Sequence, residues 1–333
     1  YSTSEFMTLD AATRRTLELT ETIRDGRVNG SLLGILDYRI TPMGKRLMRH
    51  WVSKPLLDID LIRDLQDSVE YFFQEGLLRA ELRNALKPLG DQERLSNRIL
   101  GGTAQPRDLV AMRSILRLLP SIKGLIPSDA ESLSNIRAEF HLCDEQLNLL
   151  ESSIEEDPPQ VLGNIGVIQS GYSAELDGVL ESSRHAREWI ANLESVERKQ
   201  TGIKSLKVGF NKVFGYYIEV TKSNVEMVPD TYIRKQTLVN AERYITPEMK
   251  EYESLVLNAE ERIIEIERRL FQVVCARLGG AATRLLATAR ALSQLDVLSA
   301  LSEVAALNGY VRPEVVAEDS MEIRGGRHPV VEH

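Results

Sequence analysis

Cysteine is scarce in this 333-residue chain. Cys143 and Cys275 stand far apart, with no Cys-x-x-Cys pair for zinc and no framework for disulfides. That sparseness fits a reducing cytoplasm. His50, His141, His185, His328 and His333 show no metal-ligand spacing with the cysteines. No apolar run approaches the ~18 residues of a membrane span. The N-terminal Tyr-Ser-Thr-Ser-Glu-Phe lacks the basic and apolar regions of a signal peptide. No Gly-x-x-x-x-Gly-Lys-Ser/Thr phosphate loop occurs. Positive charge is also short: 41 Lys and Arg against 49 Asp and Glu give a net charge of -8, which argues against a surface that coats nucleic acid uniformly. Among so many acids, pairs such as Asp144-Glu145 carry no catalytic signal. The expectation is a chain without enzyme activity, cofactor or metal of its own.

What is present is apolar periodicity. Hydrophobic residues make up 43% and charged residues 27%, enough for sizeable cores and about two domains. Thr41-Pro-Met reads as an N-cap with proline in the first turn, opening a helix through Trp51 that Lys54-Pro55 closes. Asp58 caps the next helix, with Leu61, Leu65, Val69 and Phe72 on one face. Pro106 starts another, carrying Leu109, Met112, Ile115, Leu116 and Leu119. Phe6 to Thr20 reads as a hairpin or strand with a turn at Asp10-Thr13. Arg94 and Arg98 beside Asp91 and Glu93 read as a solvated helix face. Ala289 to Leu307 returns to the body, and the residues from Ile323 read as a turn entering a strand.

Two longer helices show a sustained 4, 3, 4, 3 stripe. Tyr172, Leu176, Val179, Ser183, Ala186, Ile190 and Leu193 mark the first. Tyr252, Val256, Ala259, Ile263, Ile266, Leu270 and Val273 mark the second, opened by Pro247. A 3.5-residue repeat favours left-handed helix pairing, and ~30 residues at ~1.5 Å each extend roughly 45 Å. Between them, residues 199–247 are strand-like, with β-branched and aromatic residues and punctuating glycines. From Lys199 to Arg243 stand eight Lys/Arg against four acids, a local +4 that leaves -12 for the rest. A module inserted between antiparallel helices sits at their tip, and its charge points to an anionic partner.

Several motifs then become recognisable in order: Leu9-Asp10, Thr41-Pro-Met-Gly44, Arg98 to Leu109, Leu206-Lys-Val-Gly-Phe-Asn211, Gly215-Tyr-Tyr-Ile218, Gln236-Thr-Leu238, Asn240-Ala-Glu-Arg-Tyr244 and Gly326-Arg-His-Pro-Val-Val-Glu332. Together they resemble the bacterial MutS family of DNA mismatch repair proteins across essentially the whole chain. The resemblance implies a mainly α fold: a helical core with long antiparallel lever helices and a small inserted antiparallel β clamp domain at the lever tips. The corresponding bounds are 1–119 and 290–322 for the core, 120–198 and 248–289 for the levers, 199–247 for the clamp and 323–333 for the start of an ATPase domain. It implies that the full-length protein binds mismatched duplex DNA as a homodimer, uses ATP and magnesium to become a sliding clamp, and recruits MutL, in the cytoplasm at the nucleoid. The family's Phe-x-Glu mismatch wedge has no counterpart here, since Glu5-Phe6-Met7 has the order wrong. His328 resembles the strand entry into the ATPase domain and is expected to be structural.

Binding duplex DNA without sequence preference needs cations and small amides at phosphate spacing. Arg234, Lys235 and Asn240, with Lys204, Lys207 and Lys212, are the candidate backbone-binding residues. Asn240 matches a family position that contacts backbone, whereas Val239 stands where the family often carries lysine. Phe210, Phe214, Tyr216 and Tyr217 are expected in the core of the sheet rather than as stacking platforms. The alternative is a helical scaffold that binds protein partners through its arm.

Overall fold

A computed structural model describes residues 6–211 and 215–332. In chain order it contains α1 (Ala11–Thr16), α2 (Leu32–Ile35), α3 (Pro42–Ser53), α4 (Ile59–Gln74), α5 (Gly76–Leu86), α6 (Gln92–Leu100), α7 (Pro106–Gly124), α8 (Ser134–Glu139), α9 (Asp144–Ser153) and α10 (Ala174–Thr201). Then come β1 (Lys207–Asn211), β2 (Gly215–Thr221), β3 (Ile233–Thr237), β4 (Ala241–Ile245), α11 (Pro247–Gly279) and α12 (Ala282–Asn308). The fold is mainly helical with one small antiparallel sheet. It divides into two compact units, Tyr1–Glu151 with Val274–His333, and Ser152–Val273.

The first unit is organised around α12. Small or apolar side chains predominate on it, with Leu292, Leu295, Val297, Leu298 and Ala300 all buried, so it forms a core helix rather than an amphipathic one. It packs against α3, α4, α5, α6 and α8. Charge also lies inside. Asp296 is fully buried and accepts from the backbone N–H of Ile40 (2.9 Å) and Thr41 (2.7 Å) and from Thr41 Oγ1 (2.7 Å). Thr41 in turn caps α3, accepting from Gly44 N–H at 2.9 Å. A Cβ on Gly44 would come within 2.1 Å of Asp296 Oδ2, so this close approach requires glycine.

Three expectations are corrected here. The Phe6 to Thr20 stretch is not a hairpin: Phe6 makes one isolated bridge to Leu56, and Asp10 caps α1 by accepting from Thr13 N–H at 2.6 Å. Aspartate two or three residues ahead of free amides favours a helix start as readily as a turn. The Asp91-to-Arg98 face is not merely solvated. Arg46 grips Asp91 through both Nη atoms at 2.7 Å and Glu93 at 2.6 Å, while Arg98 pairs with Asp108 at 2.7 Å. Asp108 also accepts from Gln105 N–H at 2.9 Å, completing a capping box on α7. Beyond α12, residues 310–332 form no helix or strand. The strand read from Ile323 onward is absent, and the segment's backbone and arginines make local bonds instead, such as Arg327 to Glu332.

In the second unit α10 and α11 run antiparallel. Arg187 meets Glu260 at 2.5 Å, Trp189 stacks on Tyr252 at 4.0 Å, and Arg269 pairs with Glu175, so numbers fall on one helix as they rise on the other. Leu176, Ser183, Ala186, Ile190 and Leu193 are buried as the stripe requires, as are Val256, Ala259, Ile263 and Ile266, and Ala186 and Ile190 pack with Val256. The second stripe fails at its end. Val273 is exposed, and Phe271, Val274 and Leu278 are buried instead, a one-residue rotation where α11 leaves this unit for the first. Glu267, on the buried face, accepts from the N–H of Gly166, Val167 and Ile168. Burial pushes its carboxyl pKa up, and the three amides pull against that shift.

Candidate nucleic-acid interface

The sheet has strand order β1-β2-β4-β3, antiparallel throughout. Alternation gives it two faces. The inner face carries Val208, Ile218, Val220 and Tyr244, packed with Leu193 at the end of α10, Met249 at the start of α11, and Ile203, Leu206 and Tyr232. α10 ends at Gly202, whose φ of 74° reverses the chain toward β1. The sheet is thus seated on the ends of both helices.

Acids on the helices fix it there. Glu194 accepts from Val208 N–H at 2.9 Å, and Glu253 from Tyr216 N–H at 3.0 Å. A Cβ on Gly215 would fall 1.8 Å from Glu253 Oε1, so that approach also needs glycine. Tyr232 donates to Glu197 at 2.5 Å and Tyr244 to Glu242 at 2.6 Å, all four side chains being buried. Burial, reinforced by the adjacent carboxylates, raises both phenol pKa values, that of Tyr244 to about 12.

The outer face is polar. Tyr217 lies across Gly209, where an added Cβ would stand 2.7 Å from its ring. The Arg243 guanidinium sits 4.0 Å over that ring and pairs with Glu219 at 2.9 Å. Lys207 shares this face in register with Glu219. The aromatic residues therefore divide: Tyr216 packs inward, Tyr217 covers the outer face, and Phe210 is exposed at 55% while contacting Tyr216 at 4.9 Å. Among the described aromatic residues the expectation of a core role holds for Tyr216 alone, because Tyr217 lies on the uncovered face and Phe210, paired with Tyr216 on the covered one, sits at its exposed end. Phe214 lies outside the described residues.

Of the candidate residues, Lys204 precedes β1, Lys207 opens it, and Arg234 and Lys235 lie on edge strand β3 at a bulge. All four are exposed. Arg234 faces Glu242 at 3.6 Å, whereas Lys204, Lys207 and Lys235 have no ion pair among the described residues. Asn240 sits in the turn between β3 and β4, beside Val239 at 86% exposure, and its C=O accepts from Lys222 N–H at 3.1 Å. Lys212 lies outside the described residues. Lys222, exposed and unpaired, joins Lys204 and Asn240 at one end of the sheet, away from Lys235 and the bulge. Beside it, Ser205, Thr221, Ser223 and Asn224 form a hydrogen-bonded cluster of small polar side chains that charge counting does not reveal.

Residues 12–302 match the family described as MutS domain III. The chain belongs to the MutS family. Over its whole length it is 46% identical to the DNA mismatch repair protein MutS of Acetivibrio thermocellus, 47% to that of Alkaliphilus metalliredigens and 45% to that of Dehalococcoides mccartyi. It spans 38%, 38% and 39% of those MutS proteins. The matched family covers both the helical unit and the sheet-bearing unit, which does not favour the scaffold alternative. Among the described residues no single helix is long and apolar enough to cross a membrane, and no group of three or more His, Cys, Asp or Glu is placed to hold a metal.

Proposed function

We propose that this chain is the DNA-gripping and transmitting part of a MutS mismatch repair protein. The sheet serves as a clamp that holds the phosphate backbone of duplex DNA without reading bases, and α10 with α11 serves as its lever. The observation that carries this reading is the concentration of exposed, unpaired lysines, Lys204, Lys207, Lys222 and Lys235, on one small sheet in a chain that is otherwise acidic. Phosphate binding needs such uncommitted cations, whereas cations already paired with acids gain little from an anion. ATP and magnesium chemistry, mismatch reading, homodimer contacts and the MutL partner are assigned to the longer protein, acting in the cytoplasm at the nucleoid.

Titration of labelled duplex at several salt concentrations tests the reading. Binding should weaken steeply as salt rises. Each lysine-to-alanine change at a phosphate contact should lower the slope of log K against log salt by about 1. Lys235→Ala should weaken matched and mismatched duplex equally. A loss confined to mismatched duplex, or binding indifferent to salt, would overturn the proposal.

A further inference from the structure

The end of the sheet formed by Thr221 and Ala241, opposite the end formed by Asn211 and Gly215, carries a cluster with an unspent donor. Asn224 Nδ2 donates to Ser205 Oγ (2.9 Å) and Thr221 Oγ1 (3.2 Å). The hydroxyl of Thr221 also lies 3.2 Å from Ser205 Oγ and 3.2 Å from Ser223 Oγ. Three hydroxyl protons thus share two oxygen-oxygen contacts, and each contact consumes one proton. At least one O–H remains to point outward. No carboxylate belongs to the cluster, and Glu226, exposed in the 3-10 helix Lys222–Met227, makes no ion pair with Lys222. Lys204 precedes Ser205 and Lys222 lies between Thr221 and Ser223, both exposed and unpaired. The Lys222 N–H bond to the Asn240 carbonyl fixes the β3–β4 turn at the same end.

We propose that Ser205, Thr221, Ser223 and Asn224, flanked by Lys204 and Lys222, form a phosphodiester-binding patch of their own, separate from the Arg234–Lys235 edge. The one unspent O–H and the two neighbouring ammonium groups complement a group that only accepts, and each oxygen of a DNA phosphate does so. The small neutral side chains fix register, and the lysines supply charge. This rests on the proposal that the sheet grips duplex DNA.

The test compares Lys222→Ala, Asn224→Asp and Lys235→Ala in the whole chain, titrated with labelled matched duplex. Lys222→Ala should lower the salt slope by about 1. Asn224→Asp, which replaces a donor by a charged acceptor, should weaken binding about tenfold while leaving the circular dichroism and melting temperature near the parent's. If both variants bind like the parent while Lys235→Ala weakens binding, the patch is refuted and the clamp stands. If the parent itself fails to bind at low salt, patch and clamp fall together.

Discussion

At the scale of single residues, Gly44 and Asp296 show what a motif is for. Thr41-Pro-Met-Gly44 reads from sequence as a helix start, and it is one. The sequence alone does not disclose that the cap is itself held by a carboxylate more than 250 positions later, because nothing local marks Asp296 as its partner. Gly44→Ala should destabilise the first unit by about 2–3 kcal/mol through forced displacement of that carboxylate. Asp296→Ala should cost about 3 kcal/mol by stranding the amides of Ile40 and Thr41. Urea midpoints at unchanged slope check both, and an unaltered midpoint for Gly44→Ala would show that Asp296 yields without strain. The site residues divide in the same way. Lysines and their local excess are legible as charge, but which of them lack an acid partner depends on cross-strand register: Arg234 meets Glu242, whereas Lys235, one position on, meets none.

At the scale of elements, paired stripes made α10 and α11 legible, because a 3.5-residue repeat has few uses other than helix pairing. The anchoring of the sheet was not legible. Glu194, Glu197 and Glu253 look on a helix like ordinary solvated acids, and only the fold turns them toward amide and phenol donors. The tyrosine pairs, Tyr232 with Glu197 of α10 and Tyr244 with Glu242 within β4, give this unit a sign in pH. The phenol of Tyr244 is raised from 10.0 to about 12 in the folded state, and that of Tyr232 is raised as well. A raised pKa means the folded form holds the proton longer. The contribution is therefore whole below about pH 10 and is lost as pH climbs toward about 12. The fall in melting temperature between about pH 9 and about pH 11.5 should be smaller in the Tyr232→Phe/Tyr244→Phe double variant than in the parent. Equal falls in the two proteins would rule out these pairs as the cause.

At the scale of the whole molecule, the first unit is discontinuous in sequence, with α12 returning after the second unit has been completed. The return of Ala289 to Leu307 to the body was legible in its leucines. The loss of the stripe at Val273 was not, since it arises where one helix changes the unit it belongs to. A chain ending at about Gly280 should lose cooperative unfolding of the first unit, for α3, α4, α5, α6 and α8 all pack on the missing helix. The β1–β4 sheet, whose core lies within Ser152–Val273, should keep its protected amides. Hydrogen exchange distinguishes the two units, and protection retained across α3 to α6 would contradict this account.

The central position of α12 also sets an order in time. A ribosome delivers the chain from its N-terminus, so α8 ends 143 residues (282 − 139) and α3 ends 229 residues (282 − 53) before the start of the helix that packs on them. At roughly 5–20 residues per second, those helices wait on the order of ten seconds with their inner faces uncovered. During that interval the nascent chain is a substrate for chaperones and proteases, and synthesis of α12 ends the exposure.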